Sequence, residues 1–132
     1  MVTIKDATYW VEKIRQGEVT PTELLAITQK KIDEINPKYN ALVDYDMAKA
    51  QEDIIKTKSG YFAGLPFPLK MLGQDHAGLP STSSSKLFQN SIARSDDNYV
   101  KALLDSGLTP FGQTNSPEFG FKNISDSALY GD

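Results

Sequence analysis

The sequence of 132 residues predicts an α/β fold, with residues 1–60 mainly helical and residues 61–132 forming a strand, a helix and a second strand. In the first half, apolar residues recur at helical spacing between capping residues. In the second half, two short apolar runs bounded by glycine and proline flank an amphipathic stretch. This order predicts a parallel pair of strands in a mixed sheet, within a single unit that has no internal repeats.

Capping residues predict two helices at the start of the chain. Asp6 can cap a first helix that ends at Gly17, because glycine adopts the left-handed conformation of a helix end at low cost. In the sequence "TPTE", Thr20 is the expected N-cap, with proline at the first helical position and glutamate at the third, which is a capping box. We expect the second helix to stop at Asn36-Pro37, since proline removes a helical N–H.

The later elements follow from similar signals. "NALVDY" (40–45) predicts a short strand, and a third helix over residues 46–58 should turn its apolar side chains inward; these are Met47, Ala50, Ile54 and Ile55. "GLPFPLKML" predicts a strand that ends near Lys70, followed by the polar loop "QDHAGLPSTSSS". A helix capped by Ser95 or Asp96 then precedes the second strand, "LTPFGQTN".

One further helix start is predicted after the second strand. Ser116-Pro117-Glu118 repeats the pattern of a cap followed by proline that residues 20 and 21 display. We therefore expect the Ser116 side chain to act as an N-cap.

Composition excludes several classes of function. A formal net charge of −3 argues against a nucleic-acid-binding surface, which normally carries an excess of basic residues. The absence of cysteine excludes disulfides, thiolate metal sites and thiol nucleophiles, and a single histidine, His76, disfavours a zinc site. Neither a metal nor another cofactor is therefore predicted. Because the start of the chain is polar and no apolar run could cross a membrane, we expect no membrane association and a cytoplasmic location.

Lys70 lies between Leu69 and Met71 in an apolar run, where a charged ammonium group is costly to bury. One interpretation is structural: the aliphatic stem covers apolar neighbours while the ammonium group reaches water. The other interpretation is chemical: a desolvated lysine is neutral and can accept a proton as a general base. The residues alone leave both interpretations open.

Two other catalytic patterns are weaker. Ser83 and Lys86 have the S-x-x-K spacing that places a serine hydroxyl one helical turn from a lysine, but they lie in a loop rich in proline, glycine and serine. Asp75, His76 and a nearby serine offer the residue types of a hydrolase triad, yet adjacent loop residues define no geometry. We interpret His76 as a solvated loop residue.

Five stretches, taken in order, resemble the N-terminal part of the amidase signature family. They are "KDATYWVEKIRQGEVTPTELL", "INPKYNALVDYDMAKA", "FAGLPFPLKMLGQDHAGLPSTSSSKL", "ARSDDNYVKALLDSGLTPFGQTNSPEFG" and "LYGD". The third stretch is similar to the family's "GxPxxxKD" block and the fourth to its "GkTN" block. The chain is most similar to the branch that includes 6-aminohexanoate-cyclic-dimer hydrolases and more distantly similar to the glutamyl-tRNA amidotransferase A subunit.

The resemblance implies a fold and an activity. It implies that the chain forms the first, incomplete part of the family's mixed sheet, and that the parent enzyme hydrolyses the amide bond of a small molecule, linear or cyclic. The family uses a Ser–Ser–Lys triad, and Lys70 matches its lysine, the ultimate general base. Phe121 and Asn123 match a segment that lines the substrate site. Both serines belong to a glycine- and serine-rich signature that this sequence lacks.

The missing signature and two departures from the motifs set further expectations. We expect an N-terminal fragment of a longer amidase that is inactive alone, self-associates through exposed sheet edges, and leaves Lys70 exposed and protonated. Met71 stands where the family has an aspartate. Gln113 stands where the family has a lysine, and we expect this substitution to lie at the protein surface. Two alternatives stay open: a non-catalytic α/β module that binds a partner, and an amidotransferase A subunit.

Overall fold

The computed structural model describes residues 5–57 and 59–131. In chain order the elements are α1 (Ala7–Arg15), α2 (Pro21–Tyr39), β1 (Leu42–Tyr45), α3 (Met47–Lys56), β2 (Leu65–Lys70), α4 (Asn98–Asp105) and β3 (Leu108–Thr114). Two short 3₁₀ turns, Lys86–Phe88 and Glu118–Gly120, follow β2 and β3. The α/β class predicted from the sequence is confirmed. Within the described residues, no helix combines the length and the apolar composition needed to cross a bilayer.

Three strands form one mixed sheet in the order β1-β3-β2. β2 and β3 pair in parallel, and α4 lies in the connection between them, which confirms the predicted strand–helix–strand unit. β1 pairs with β3 in the antiparallel direction. β3 is therefore the central strand of this sheet, and β1 joins the helical first half of the chain to it.

The predicted caps of α1 and α2 are confirmed. The Asp6 carboxylate accepts a hydrogen bond from the Tyr9 N–H at 2.9 Å. In α2, the Thr20 hydroxyl accepts from the Glu23 N–H at 3.1 Å, and the Glu23 carboxylate accepts from the Thr20 N–H at 2.8 Å. The Thr20 N–H, followed by the Thr20 hydroxyl, holds the pKa of the Glu23 carboxyl below its ordinary value.

The predicted end of α2 is wrong, because the helix continues through Pro37 to Tyr39. Proline in the last turn removes only one helical hydrogen bond, and other contacts hold the end of the helix. Asn40 adopts the left-handed conformation at φ 44° and donates its N–H to the Asn36 carbonyl at 2.8 Å. The Asn36 side chain also donates to the Leu42 carbonyl at 2.9 Å and accepts from its N–H at 2.8 Å, so α2 is tied to β1.

The residue that caps α4 is Asp97, so the prediction of Ser95 or Asp96 is wrong. The Asp97 carboxylate accepts from the Val100 N–H at 2.8 Å. The Asp96 carboxylate instead accepts from the Ala77 N–H at 2.8 Å, and the helix begins one residue too late for Asp96 to be its N-cap.

Two apolar clusters hold the helices on the sheet. One contains Leu25, Ile32, Ala50, Ile54 and Phe111, and the other contains Val11, Leu24, Leu65 and Leu108. Ile55 is 61% exposed, so its predicted burial is wrong. It follows Ile54 by about 100° around α3, which turns its side chain away from the buried stripe. Lys58, predicted as the last residue of this helix, lies outside the described residues.

Candidate active site

The carboxyl ends of β2 and β3 lie side by side and define the candidate site. Lys70, the last residue of β2, pairs in register with Thr114, the last residue of β3. The pairing extends one residue further, because the Met71 N–H donates to the Thr114 carbonyl at 3.2 Å. In open α/β sheets, ligands bind beyond the carboxyl ends of the strands, so this end of the sheet is the candidate active site.

Lys70 is an exposed residue between two buried apolar residues. Leu69 is 0% exposed and Met71 is 2% exposed, whereas Lys70 is exposed. Successive side chains of a strand point to opposite faces, so Lys70 lies on the face away from these two residues. In the described part of the chain, the apolar run therefore supports the strand and leaves the lysine side chain facing solvent.

Four hydrogen-bonded residues join the serine loop, residues 81–85, to the segment after β3, and we call them the clasp: Ser84, Ser85, Ser116 and Glu118. The Ser84 and Ser116 hydroxyls are hydrogen bonded at 2.9 Å, and both residues are 0% exposed. The Ser85 hydroxyl donates to the Glu118 carboxylate at 2.5 Å. The predicted helix cap at Ser116 is thus wrong, because its hydroxyl is used by Ser84 and the 3₁₀ turn that follows has no side-chain cap.

The clasp holds residues in a conformation that L-amino acids rarely adopt. Ser83 and Ser84 have φ angles of 49° and 55°, and the Ser85 N–H donates to the Thr82 carbonyl at 2.9 Å across them, which describes a type I′ turn without glycine. On the facing segment, Phe119 has φ 52°, and its N–H donates to the Ser83 carbonyl at 3.0 Å. Such residues cost roughly 1–3 kcal/mol each and concentrate at functional sites.

The two segments that the clasp joins also reach the residues that follow Lys70, one through Tyr130 and the other through Gly120. The Tyr130 hydroxyl lies 3.1 Å from the Thr82 hydroxyl and 3.9 Å from the Met71 sulfur. A Cβ atom added to Gly120 would lie 2.8 Å from Leu72, so the turn after Glu118 packs closely on the end of β2. The serine loop, the segment after β3 and the end of β2 therefore form one packed assembly.

Gln113 is 1% exposed, so the prediction of a surface change at this position is wrong. It belongs to β3, in which Phe111, Gly112 and Gln113 are buried in succession, so both faces of the strand are covered here. Its side-chain amide N–H donates to the Pro80 carbonyl at 3.0 Å, which ties the loop after β2 to the sheet. Among the described residues, no donor reaches the Gln113 Oε1 atom, which is buried.

The structure does not bring Asp75, His76 and a serine together as a hydrolase triad. His76 Nδ1 lies 2.6 Å from the Asp96 carboxylate, whereas the Asp75 carboxylate accepts from the Ser81 hydroxyl at 2.8 Å, so Asp75 and His76 have different partners. His76 is half-buried, so the prediction that it is a solvated loop residue is wrong. The Ala77 N–H, assisted by His76, holds the pKa of the Asp96 carboxyl below its ordinary value.

The S-x-x-K spacing also lacks the geometry that it requires. Ser83 lies in the left-handed turn and Lys86 begins a three-residue 3₁₀ turn, so no α-helix places the two side chains one turn apart. Within residues 5–57 and 59–131, no group of three side chains of the metal-ligating types lies close enough to hold an ion.

Phe121 and Asn123, the predicted substrate contacts, are both exposed, and Phe121 is 86% exposed. Phe121 lines a surface groove of about 720 Å³, and Asn123 does not. Sequence reasoning missed two aromatic neighbours: the Phe119 ring centroid lies 6.2 Å from that of Phe121 and 6.0 Å from that of Phe88. The aromatic spacing in "PEFGF" was a signal for Phe119, whereas Phe88 lies in a separate part of the chain and no local pattern pointed to it.

The buried pair of Ser84 and Ser116 offers a test of the strength of the clasp. Ser84→Ala or Ser116→Ala alone should lower the free energy of unfolding by about 1–3 kcal/mol, because each leaves one buried hydroxyl without its partner. The double variant should cost less than the sum of the single variants, since it removes both hydroxyls. Urea unfolding of the four proteins measures this coupling, and additive effects would show that the two groups act independently.

The fold and the site together define an α/β protein with a lysine at the carboxyl end of a parallel strand. A family model described as Amidase matches residues 23–132. The chain therefore belongs to the amidase family, and the resemblance found in the sequence is confirmed.

Individual relatives agree with this assignment. The lipoamidase of Enterococcus faecalis is 36% identical over 120 residues, which cover 89% of this chain and 17% of the relative. The 6-aminohexanoate-cyclic-dimer hydrolase of Paenarthrobacter ureafaciens is 34% identical over 129 residues, 96% of this chain and 26% of the relative. The solved structure of a 6-aminohexanoate cyclic dimer hydrolase complexed with substrate superposes with a TM-score of 0.90 at 33% identity, covering 96% of this chain and 27% of that one. The chain thus spans about a quarter or less of the length of these relatives.

Proposed function

We propose that this chain forms part of an amidase that hydrolyses a carbon–nitrogen amide bond in a small molecule, with Lys70 as the general base. The observation that carries the proposal is the position of Lys70 at the carboxyl edge of the parallel strands, in a chain of the amidase family. The similarity to a hydrolase named for a cyclic amide dimer supports a linear or cyclic amide as the substrate.

The proposed reaction uses a neutral lysine amine. In the Ser–Ser–Lys scheme, the nucleophilic serine attacks the amide carbon while its proton passes through a bridging serine to the amine of Lys70. The C–N bond then breaks, and the leaving amine takes that proton. Water hydrolyses the serine ester, which releases the acid and restores the serine. Ser84, Ser85 and Ser116 are not proposed for either role, because their hydroxyls are used in the clasp.

A neutral amine requires apolar walls, because desolvation disfavours the charged form. Lys70 is exposed among the described residues, so these residues do not supply the walls. We propose that the walls and both serines come from the remainder of an amidase polypeptide, and that the 132 residues alone do not hydrolyse amides.

The substrate is proposed to lie against the exposed aromatic residues. Phe121 and its neighbour Phe119 would contact an apolar part of the amide, and Asn123 would offer it a hydrogen bond. The support for this is the groove that both phenylalanines line, next to the turn that packs on Leu72.

A chimeric enzyme tests the proposed function. Residues 1–132 would replace the matching segment of the Paenarthrobacter ureafaciens hydrolase, and the product would be assayed for hydrolysis of the 6-aminohexanoate cyclic dimer beside the isolated chain. We expect turnover by the chimera and none by the isolated chain. A chimera that folds cooperatively without turnover, or sustained hydrolysis by the pure isolated chain, would contradict the proposal.

The two alternatives are separated by simple observations. An amidotransferase subunit would co-purify with partner subunits and pass ammonia to an acyl group. A non-catalytic module would bind a partner through its helices, and the chimera built with it would stay inactive. The family assignment favours hydrolysis or amidotransfer over the module.

We also propose that copies of the isolated chain self-associate through the outer edge of β1. Among the described strands, β1 pairs with β3 alone, so no second strand covers its other edge, where the Asn36 side chain bonds only Leu42. Light scattering over a concentration series should therefore detect a rising average mass, and a constant monomer mass would contradict this.

A further inference from the structure

The outer edge of β2, the edge that faces away from β3, has almost no hydrogen-bond donors. The Met71 N–H points to β3, where it donates to Thr114, whereas the Lys70 N–H points the other way. Because N–H groups alternate along a strand, Pro66 and Pro68 share the outer edge with Lys70. Proline carries no N–H, so Lys70 provides the one donor that remains on this stretch of the edge.

That remaining donor is taken by a side chain of the same chain. The Lys70 N–H donates to the Gln74 Oε1 atom at 2.7 Å, and Gln74 is half-buried. The chain reverses between the two residues, and Gly73 permits the reversal with a φ of 70°. The side-chain carbonyl of Gln74 thus replaces the neighbouring strand that an internal strand of a sheet would have.

This contact bears directly on the backbone from which the Lys70 amine projects. The end of an edge strand has a neighbouring strand on one side only and therefore frays readily. Here the end of β2 is bonded on both sides, to β3 through the Met71 N–H and to Gln74 through the Lys70 N–H. The backbone of Lys70 is therefore fixed independently of any further strand.

We infer that Gln74 is a positioning residue for Lys70, which it holds through the main chain without touching the reacting atoms. The inference rests on the proposed role of Lys70 as the base. General-base catalysis needs the amine within hydrogen-bond reach of a hydroxyl, and a displacement of about 1 Å can cost about 100-fold in rate.

Amide hydrogen exchange of the isolated chain, measured by NMR, tests the contact itself. Gln74→Met keeps the side-chain length and removes the acceptor, whereas Gln74→Glu keeps an acceptor oxygen. We expect exchange of the Lys70 N–H to rise about tenfold in Gln74→Met and to stay near the original rate in Gln74→Glu. The Met71 N–H serves as the internal control and should keep its protection in both variants. Equal Lys70 exchange in all three proteins would overturn the inference.

The chimeric enzyme tests the positioning role. We expect Gln74→Met to lower kcat about tenfold with little change in KM, and Gln74→Glu to restore most of it. Faster exchange of the Lys70 N–H with an unchanged kcat would overturn positioning and leave Gln74 as a structural contact. Failure of the proposed function has a different signature: a Lys70 variant would then keep full turnover, whatever the exchange data show.

Discussion

Lys70→Ala is expected to lower kcat of the chimeric amidase by about 10²–10⁴-fold, the contribution typical of a general base. The alanine variant removes the amine that accepts the proton of the nucleophile. It should leave the fold intact, because the Lys70 side chain is exposed and the strand is held by its main chain and by buried Leu69. Steady-state kinetics with the cyclic amide, together with an unfolding curve for each variant, provide the measurement.

Two control substitutions separate the base from other roles of a lysine. Lys70→Arg keeps the positive charge, but a guanidinium group remains protonated and cannot accept the proton, so it should be nearly as inactive as alanine. Lys86→Ala removes an exposed lysine at the start of the first 3₁₀ turn and should leave turnover unchanged. Substantial activity in Lys70→Arg would mean that the charge matters and that the amine is not the base.

Leu69→Ala is expected to lower the free energy of unfolding of the isolated chain by about 2–5 kcal/mol. Leu69 is 0% exposed, so truncation removes buried methyl groups and leaves a cavity next to the end of β2. This is a large share of the roughly 5–15 kcal/mol that stabilises a typical domain. Urea denaturation, with the midpoint and the slope compared for both proteins, gives the change directly.

Leu87→Ala is the matched control for this experiment. Leu87 has the same side chain at 78% exposure, and its truncation should change the free energy of unfolding by no more than about 0.5 kcal/mol. If both leucine variants lost stability equally, the packing described around β2 would be wrong.

Features of the fold that depend on near neighbours could be predicted from the sequence. The caps at Asp6 and Thr20 involve residues only three positions away, so composition and spacing suffice. The end of α2 could not be predicted, because continuation through Pro37 depends on the bonds between Asn36 and Leu42 of the next strand. Sequence rules for helix ends count only the destabilising effect of the proline and cannot include this contact with a later residue.

The candidate site was predictable to a similar extent. A motif at a strand end locates Lys70, since both signals are local. The burial of Gln113 was missed because its side chain bonds to the carbonyl of Pro80, which lies far away in the chain, in the loop after β2. The strained pair Ser83-Ser84 was missed because it lacks the glycine or asparagine that normally marks such a turn. Long-range contacts with Ser116 and Phe119 hold that turn instead.

The strand order β1-β3-β2 also fixes a sequence of assembly during synthesis. β1 and β2 do not pair with each other, and both find their backbone partner in residues 108–114. On a ribosome, which releases the chain from its N-terminus, α1 to α3 can form early, but neither strand has another strand to pair with until β3 emerges. The sheet should therefore form in a single late step. A translational pause before residue 108 would leave β1 and β2 unpaired in the nascent polypeptide.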